Sequence, residues 1–193
     1  MTDWPVSLRG VTESVVTTEG PNGRYNVAAL GVFAPDGDTD VPTARTWGNT
    51  RTRRNFESNG EGHIQFIRDP VLFVDAALSI REGDSPVLES ADAWVQVRVE
   101  RVDSGWEGET EWVRWKLHAE ESRVRNRVVP TFNRGYAAVV EATVLASRLT
   151  VPEYDTDQLL ERISYFEDVA KRCGGSPEQA AFAKIQRYTE RRH

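Results

Sequence analysis

The run Ser14-Val15-Val16-Thr17-Thr18-Glu19 decides the fold, together with the turn cluster Gly20-Pro21-Asn22-Gly23 and the apolar run from Tyr25 to Ala34. β-Branched residues favour strands, and Asn-Gly between two β-prone runs is the strongest short-range signal for a hairpin. The second run is apolar enough to be buried on both faces, and it stops at the turn signal Pro35-Asp36-Gly37-Asp38. The stretch therefore predicts an antiparallel hairpin.

Further strand patterns follow this hairpin. Val41 to Trp47 and His63 to Ile67 predict short strands, whereas Trp94 to Val102 alternates apolar and polar residues, as in a strand with one buried face. Trp112 to Ala119 repeats the alternation after a turn expected at Asp103-Ser104-Gly105, so we expect these two strands to pair. Half a dozen short strands with regular turns predict a barrel or a sandwich.

Helical patterns interrupt and then follow the strands. Asp69 before Pro70 predicts a capped helix start, and Tyr136 to Leu149 and Asp155 to Cys173 are long enough for helices. Ser176-Pro177-Glu178-Gln179 predicts the cap of a last helix, which should form an αα-hairpin with its predecessor. We therefore predict a β-rich α+β protein, with a barrel over residues 1–128 and a helical segment packed on it over 129–193.

The composition predicts a globular cytoplasmic protein. Of the 193 residues, 39% are hydrophobic and 28% charged, and no apolar run approaches the roughly 20 residues that cross a bilayer. The first residues carry no basic and apolar leader pattern, and a single cysteine, Cys173, excludes an internal disulfide. We therefore expect neither secretion nor a membrane partner.

The charge pattern argues against nucleic-acid binding, because the net charge is −6 and phosphate neutralisation needs a basic surface. Of the 24 basic residues, three are lysine and the rest arginine. Together with the many carboxylates, this bias favours a salt-loving archaeon, in which acidic surfaces keep proteins soluble. Plain genomic GC bias is the alternative.

The segment from Asn49 to Asn55 is the least ordinary in the chain, with three Arg, two Thr and two Asn in seven residues. Guanidinium forks and hydroxyl donors at this density suit a phosphate, and a helix opening here would add its free N–H groups. The alternative is a solvated turn in an arginine-rich protein. The segment is not a P-loop, because it contains no Gly-Lys-Ser or Gly-Lys-Thr.

Side-chain catalysts are scarce in the sequence. His63, His118 and His193 lack metal-ligand spacing, and we expect no metal site. Glu141 interrupts an apolar helical pattern, which predicts an ion pair more readily than a catalytic acid. A phosphate site on a barrel without evident catalysts suits a protein whose cofactor supplies the chemistry.

These residues resemble the FMN-binding split barrels related to flavin reductases and pyridoxamine-phosphate oxidases. More closely, they resemble DUF447, a family of unknown function from archaea and bacteria. The resemblance spans residues 13 to 175, and it rests on the order and spacing of four stretches. These begin at Val15-Val16-Thr17-Thr18, Thr52-Arg53-Arg54-Asn55, Asp69-Pro70-Val71-Leu72-Phe73 and Asn133-Arg134-Gly135-Tyr136.

The resemblance implies a homodimer with FMN near the subunit interface, walled by the C-terminal helices. By similarity, the strand after the first turn runs beside the isoalloxazine and the arginine-rich segment holds the ribityl phosphate. The expected cofactor-binding residues are Asn26, Val27, Ala28, Ala29, Thr50, Arg51, Thr52, Arg53, Arg54 and Asn55.

Two functions fit this resemblance. The first is an FMN-dependent oxidoreductase of unknown substrate, with a reduced nicotinamide or deazaflavin as electron donor and unidentified catalytic residues. The second is a non-catalytic flavin-binding electron carrier, store or sensor. A module that binds another phosphorylated metabolite is a third interpretation.

Overall fold

The structure, a computed structural model, describes residues 4–35 and 40–191, and the chain divides into two compact units. The first comprises Met1–Arg68 and Arg81–Arg127, and the second comprises Asp69–Ile80 and Val128–His193. The first unit ends at Arg127, and the sequence analysis places the end of the barrel at residue 128. Residues 69–80, which the sequence analysis places within the range 1–128, belong to the helical unit. The expected turn at Asp36-Gly37-Asp38 and His193 lie outside the described residues.

The first unit is a closed antiparallel barrel. Its six strands follow the order β1-β4-β6-β7-β3-β2, and β2 pairs again with β1 to close the ring, while β5 adds to β2 as a short outer strand. The barrel prediction is confirmed over the sandwich alternative. The elements are β1 (Val11–Glu19), β2 (Tyr25–Phe33), β3 (Thr43–Trp47), α1 (Arg51–Asn59), β4 (Glu61–Ile67), β5 (Arg81–Gly83), β6 (Ala91–Glu107) and β7 (Thr110–Val124).

The predicted first hairpin is confirmed as β1 and β2, which pair in register from Val11 opposite Phe33 to Glu19 opposite Tyr25. Gly23 adopts φ 73°, a left-handed conformation that favours glycine, and its N–H donates to the Gly20 carbonyl at 3.0 Å. The Asn-Gly signal therefore marks the turn that sets the register.

The second hairpin forms as expected, but its turn was predicted wrongly. β6 continues past Asp103-Ser104-Gly105 to Glu107, and the strands turn at Gly108-Glu109. The pairing register of β6 and β7 shifts between Arg101 and Asp103, so the strand continues where the sequence suggested a turn. Gly105 serves packing rather than a turn, because a Cβ there would lie 2.6 Å from the Trp112 indole.

The barrel core follows the alternation read from the sequence. Val95, Val97 and Val99 of β6 are buried in the same cluster as Val113, Trp115 and Leu117 of β7. The helix α1 adds Phe56, whose ring meets Trp115 edge-on at a centroid distance of 5.4 Å. The Trp115 indole also donates to Thr46 Oγ1 at 2.9 Å, so its polar group is satisfied within the core.

The second unit consists of four helices around an apolar core of their own. The predicted cap at Asp69 is confirmed, since its side chain accepts the N–H groups of Val71 and Leu72. Asn133 and Asp155 cap α3 and α4 in the same way, which the sequence analysis had not identified. Of the helices in the described ranges, none is long and apolar enough to span a membrane. The elements are α2 (Pro70–Leu78), α3 (Arg134–Ser147), α4 (Thr156–Cys173) and α5 (Ser176–Glu190).

The connection between α4 and α5 differs in detail from the prediction. The cap residue of α5 is Gly175, one position earlier than expected, and the Glu178 carboxylate accepts its N–H at 2.7 Å. Gly174 also allows a close backbone approach, because a Cβ on Gly135 of α3 would lie 2.4 Å from the Gly174 Cα. Two glycines therefore fix how the start of α3 meets the end of α4.

Candidate functional site

The strand β2 has a stretch of edge that no described strand covers. On the side away from β1, β5 pairs with Tyr25 to Val27, and β3 pairs with Val32 and Phe33. Between these pairings, the edge from Ala28 to Gly31 has no strand partner among residues 4–35 and 40–191. This gap, the split of the barrel, is a local opening between β2 and β3 in the otherwise closed ring. It leaves backbone groups of β2 beside the small residues Ala28, Ala29 and Gly31.

The gap overlaps half of the predicted isoalloxazine stretch. Ala28 and Ala29 lie on the open edge, and both are partly exposed. Asn26 and Val27 lie within the pairing to β5, opposite Glu82 and Arg81. Backbone contacts of the predicted kind are therefore available at Ala28 and Ala29, and the open edge extends two residues beyond them.

The arginine-rich segment does open a helix. Thr50 is the N-cap of α1, and its hydroxyl accepts the Arg53 N–H at 3.3 Å. The first turn of α1 contains no acidic residue, so its partial positive charge is not neutralised by a carboxylate of its own. The hypothesis of a helix start at this segment is thereby confirmed.

Three of the predicted site residues are buried and tie α1 to the barrel. Asn26 Nδ2 donates to Thr52 Oγ1 at 3.3 Å, which joins the strand and helix parts of the predicted site. Asn55 Nδ2 donates to Thr18 Oγ1 at 2.9 Å and to the Thr18 carbonyl at 3.3 Å. These side chains hold the helix in place, which is a positioning role that the sequence pattern did not distinguish from ligand contact.

Two of the three arginines of this segment form ion pairs with carboxylates. Arg51 Nη1 lies 2.5 Å from Glu82 Oε1, and Arg53 contacts Glu111 at 2.7 Å and Glu57 at 3.0 Å. The hydrogen bond from Arg53 lowers the pKa of Glu111. Those to Glu111 and Glu57 raise the pKa of Arg53. Sequence reasoning missed Glu82 and Glu111, because they lie 31 and 58 residues from their partners and only the fold brings them close.

Arg54 differs from its neighbours. It is exposed, and its Nη1 donates to the carbonyl oxygen of Asn49 at 2.7 Å and to Asn49 Oδ1 at 3.2 Å, both neutral acceptors. No carboxylate pairs with it in the described part of the chain. Among the three predicted arginine ligands of the phosphate, Arg54 is therefore the one best placed to bind an anion.

The other titratable groups do not assemble into a catalytic cluster. Burial lowers the pKa of His63, whose ring is tilted against that of Trp94 with 5.9 Å between the centroids, and His118 Nε2 lies 2.9 Å from Glu100 Oε2. Glu141 is exposed on α3 and forms no ion pair with a described residue, so the predicted packing ion pair is wrong. Within the described residues, no group of three or more His, Cys, Asp or Glu could hold a metal ion.

Family models match most of the chain. A model described as the N-terminal domain of a protein of unknown function, DUF447, matches residues 12–126. A second DUF447 model matches residues 133–187. Among curated proteins, none matches the sequence significantly.

Solved structures give a more specific similarity. The crystal structure of an FMN-bound DUF447 protein from Methanosarcina mazei has a TM-score of 0.80 and 25% identity, covering 94% of this chain and 96% of that one. A styrene monooxygenase flavin reductase from Pseudomonas putida S12 has a TM-score of 0.45 and 12% identity, covering 63% and 93%. A flavoredoxin from Methanosarcina acetivorans has a TM-score of 0.44 and 11% identity, covering 67% and 79%.

Proposed function

This chain belongs to the DUF447 family, and on that premise we propose that it binds FMN and acts as a flavin-dependent oxidoreductase. One observation carries the proposal. The Methanosarcina mazei protein, which shares the fold over nearly the whole length of both chains, is FMN-bound. The split of the barrel beside the start of α1 offers groups suited to the same cofactor.

The residues fit the two chemically distinct ends of FMN. The open edge from Ala28 to Gly31 presents peptide N–H and C=O groups, which match the hydrogen-bonding edge of an isoalloxazine. Asn26 and Val27 continue this strand. The start of α1 presents a helix N-terminus with Arg54 beside it, and these suit a phosphate.

The remaining predicted residues take supporting roles in this proposal. Thr52 and Asn55 fix α1 against the barrel, and Thr50 caps it. Arg51 and Arg53 contribute positive charge near the phosphate but share it with Glu82 and Glu111. The phosphate-binding strength of the site therefore rests mainly on Arg54 and on backbone N–H groups.

The bound flavin would supply the hydride and electron transfer, with a reduced nicotinamide or deazaflavin as donor. The chain itself would bind and orient the ring through backbone groups and balance the phosphate charge through Arg54. Since no His or Cys is among these residues, proton transfer at the ring would use solvent or substrate groups. The protein's contribution is then position and electrostatics.

Binding of FMN is tested by adding it to the purified protein and following flavin absorbance and fluorescence after gel filtration. We expect a yellow protein. Arg54→Gln should weaken FMN binding by about 1–2 kcal/mol, roughly 5–30-fold, because it removes a charged hydrogen-bond donor. Arg98→Gln is the matched control: Arg98 is an exposed arginine of β6 that pairs with Glu120 of β7, and its replacement should leave the affinity unchanged.

Thr52→Ala separates positioning from direct contact. It removes the buried hydrogen bond from Asn26, so it should weaken FMN binding and lower the free energy of unfolding together. Arg54→Gln should change the affinity alone. A colourless protein that takes up no FMN would refute the proposal, and unchanged affinity in both variants would place the phosphate elsewhere.

Catalysis is tested separately by anaerobic reduction of the FMN-loaded protein. Bleaching of the flavin band by NADH, NADPH or a reduced deazaflavin, at a rate that saturates with donor, would support the oxidoreductase. Failure with all three donors would favour the second function, a flavin-binding electron carrier, store or sensor. Sedimentation or light scattering of the loaded protein tests the homodimer that we propose with it.

A further inference from the structure

The outer face of the barrel at β3 and β7 carries two arginines directly opposite each other. Arg45 and Arg114 are register partners across the antiparallel pair. Their neighbours Ala44 and Val113 are fully buried in the core, so both arginines point outwards. Side chains directly opposite in such a pair have Cβ atoms about 4.5–5.5 Å apart, and like charges in this position are destabilising.

Arg45 packs against aromatic rings. Its guanidinium carbon lies 4.7 Å from the ring centroid of Trp112 and 5.9 Å from that of Phe33. Cation–π contact of this kind orients the guanidinium but does not use its N–H groups. No hydrogen-bond acceptor for Arg45 lies among the residues that the structure describes, so nothing in this part of the chain occupies its donors.

Arg114 is only partly satisfied. Its Nη2 donates to Asp103 Oδ2 at 3.3 Å, while its Nε is buried and has no partner within the described ranges. Asp103 is thus the one described carboxylate that pairs with either arginine. Lys116 follows on the same face, opposite Glu100. An unsatisfied buried donor in a like-charged pair is costly unless something else compensates for it.

An oxyanion bound between the two guanidinium groups would provide that compensation. A phosphate accepts more charge-assisted hydrogen bonds than a carboxylate and matches two arginine forks. Trp47, which is 41% exposed and lies opposite Trp112, adds an aromatic surface beside them. Aromatic side chains next to arginines suit the ring of a nucleotide.

We propose that Arg45 and Arg114 form a binding site for the phosphate of a nucleotide whose base lies against the neighbouring Trp47. The site uses none of the residues assigned above to FMN. It does not depend on the proposed flavin function.

The test uses ADP, adenosine and inorganic pyrophosphate, titrated calorimetrically into the full-length protein with and without bound FMN. We expect saturable ADP binding that weakens with rising salt, weaker binding of pyrophosphate and the weakest of adenosine. Arg45→Gln and Arg114→Gln should each weaken ADP binding by about tenfold or more. Arg45→Lys should recover part of the loss, because it keeps the charge without the planar fork.

Arg98→Gln serves as the control for removal of a surface charge and should leave ADP binding unchanged. Equal ADP binding in the wild type and both glutamine variants would overturn the proposal, as would its absence in the wild type. Displacement of FMN by ADP would also overturn it, because the nucleotide would then occupy the flavin site. A changed oligomeric state in the variants with ADP binding unchanged would assign this face to protein contact. If FMN fails to bind but the ADP results hold, this site stands and the flavin function fails.

Discussion

Replacing Asn55 by alanine tests whether this residue holds α1 to the barrel. The side chain is 7% exposed, and its amide donates to Thr18 Oγ1 at 2.9 Å and to the Thr18 carbonyl at 3.3 Å. At about 1 kcal/mol for each net hydrogen bond, their loss costs about 2 kcal/mol. Alanine is the better helix former by about 0.5 kcal/mol, which leaves a net destabilisation of about 1.5 kcal/mol.

Urea unfolding followed by tryptophan fluorescence is the appropriate assay. All six tryptophans, from Trp4 to Trp115, belong to the barrel unit, so their emission reports that unit alone. With a slope of about 2 kcal/mol per molar urea, the midpoint of the FMN-free protein should fall by about 0.7 M. Ser58→Ala, at an exposed position of the same helix, is the matched control and should not lower the midpoint.

A double-mutant cycle with Thr18→Ala identifies the contact itself. Each single variant breaks the same hydrogen bond, from Asn55 Nδ2 to Thr18 Oγ1, so the double variant should lose about 1 kcal/mol less stability than the sum of the two single losses. Strict additivity, or an Asn55→Ala midpoint equal to that of Ser58→Ala, would refute the assignment of Asn55 as the anchor of α1. Asn55 would then be available for direct contact with the phosphate.

Three further variants test the stability of the helical unit and the pH dependence of the barrel unit. Gly135→Ala places a Cβ 2.4 Å from the Gly174 Cα, so it should destabilise the helical unit by about 1–3 kcal/mol; far-ultraviolet circular dichroism should show this loss and tryptophan emission should not. Glu178→Ala removes the acceptor of the Gly175 N–H and should cost the same unit about 1 kcal/mol. Burial lowers the pKa of His63 in the folded state, so the unfolded chain binds its proton first as pH falls below about 6.5, and stability should decrease there. His63→Gln should remove that decrease, and a pH profile identical to that of the wild type would contradict this role.

The sequence was informative wherever local chemistry determines structure. The Asn22-Gly23 turn, the Asp69 cap and the alternation around Val97 each depend on residues close in the chain, and each was predicted correctly. The turn expected at Gly105 failed because a glycine that makes room for Trp112 looks the same in sequence as one that bends the chain.

The sequence predicted which segments form the candidate site, but not which role each residue has in it. The sequence selected the start of α1, yet it could not show that Asn55 is turned towards Thr18 while Arg54 faces solvent. It also gave no sign of Glu82 or Glu111, because ion pairs across tens of residues depend on strand order. The open edge of β2 results from where β3 and β5 stop pairing, and no single stretch of sequence contains that information.

The helical unit takes α2 from between two barrel strands, so this unit cannot be completed until the last helix has been synthesised. Asp75 of α2 binds Lys184 of α5, which is synthesised 109 residues later. At about 5–20 residues per second, a nascent α2 waits roughly 5–20 s for that partner. During this interval Val74, which is buried in the helical core of the finished protein, has no such core to join. Until α5 has been made, the apolar side chains that α2 contributes therefore lack part of their core, and a truncation after the barrel would leave them without it.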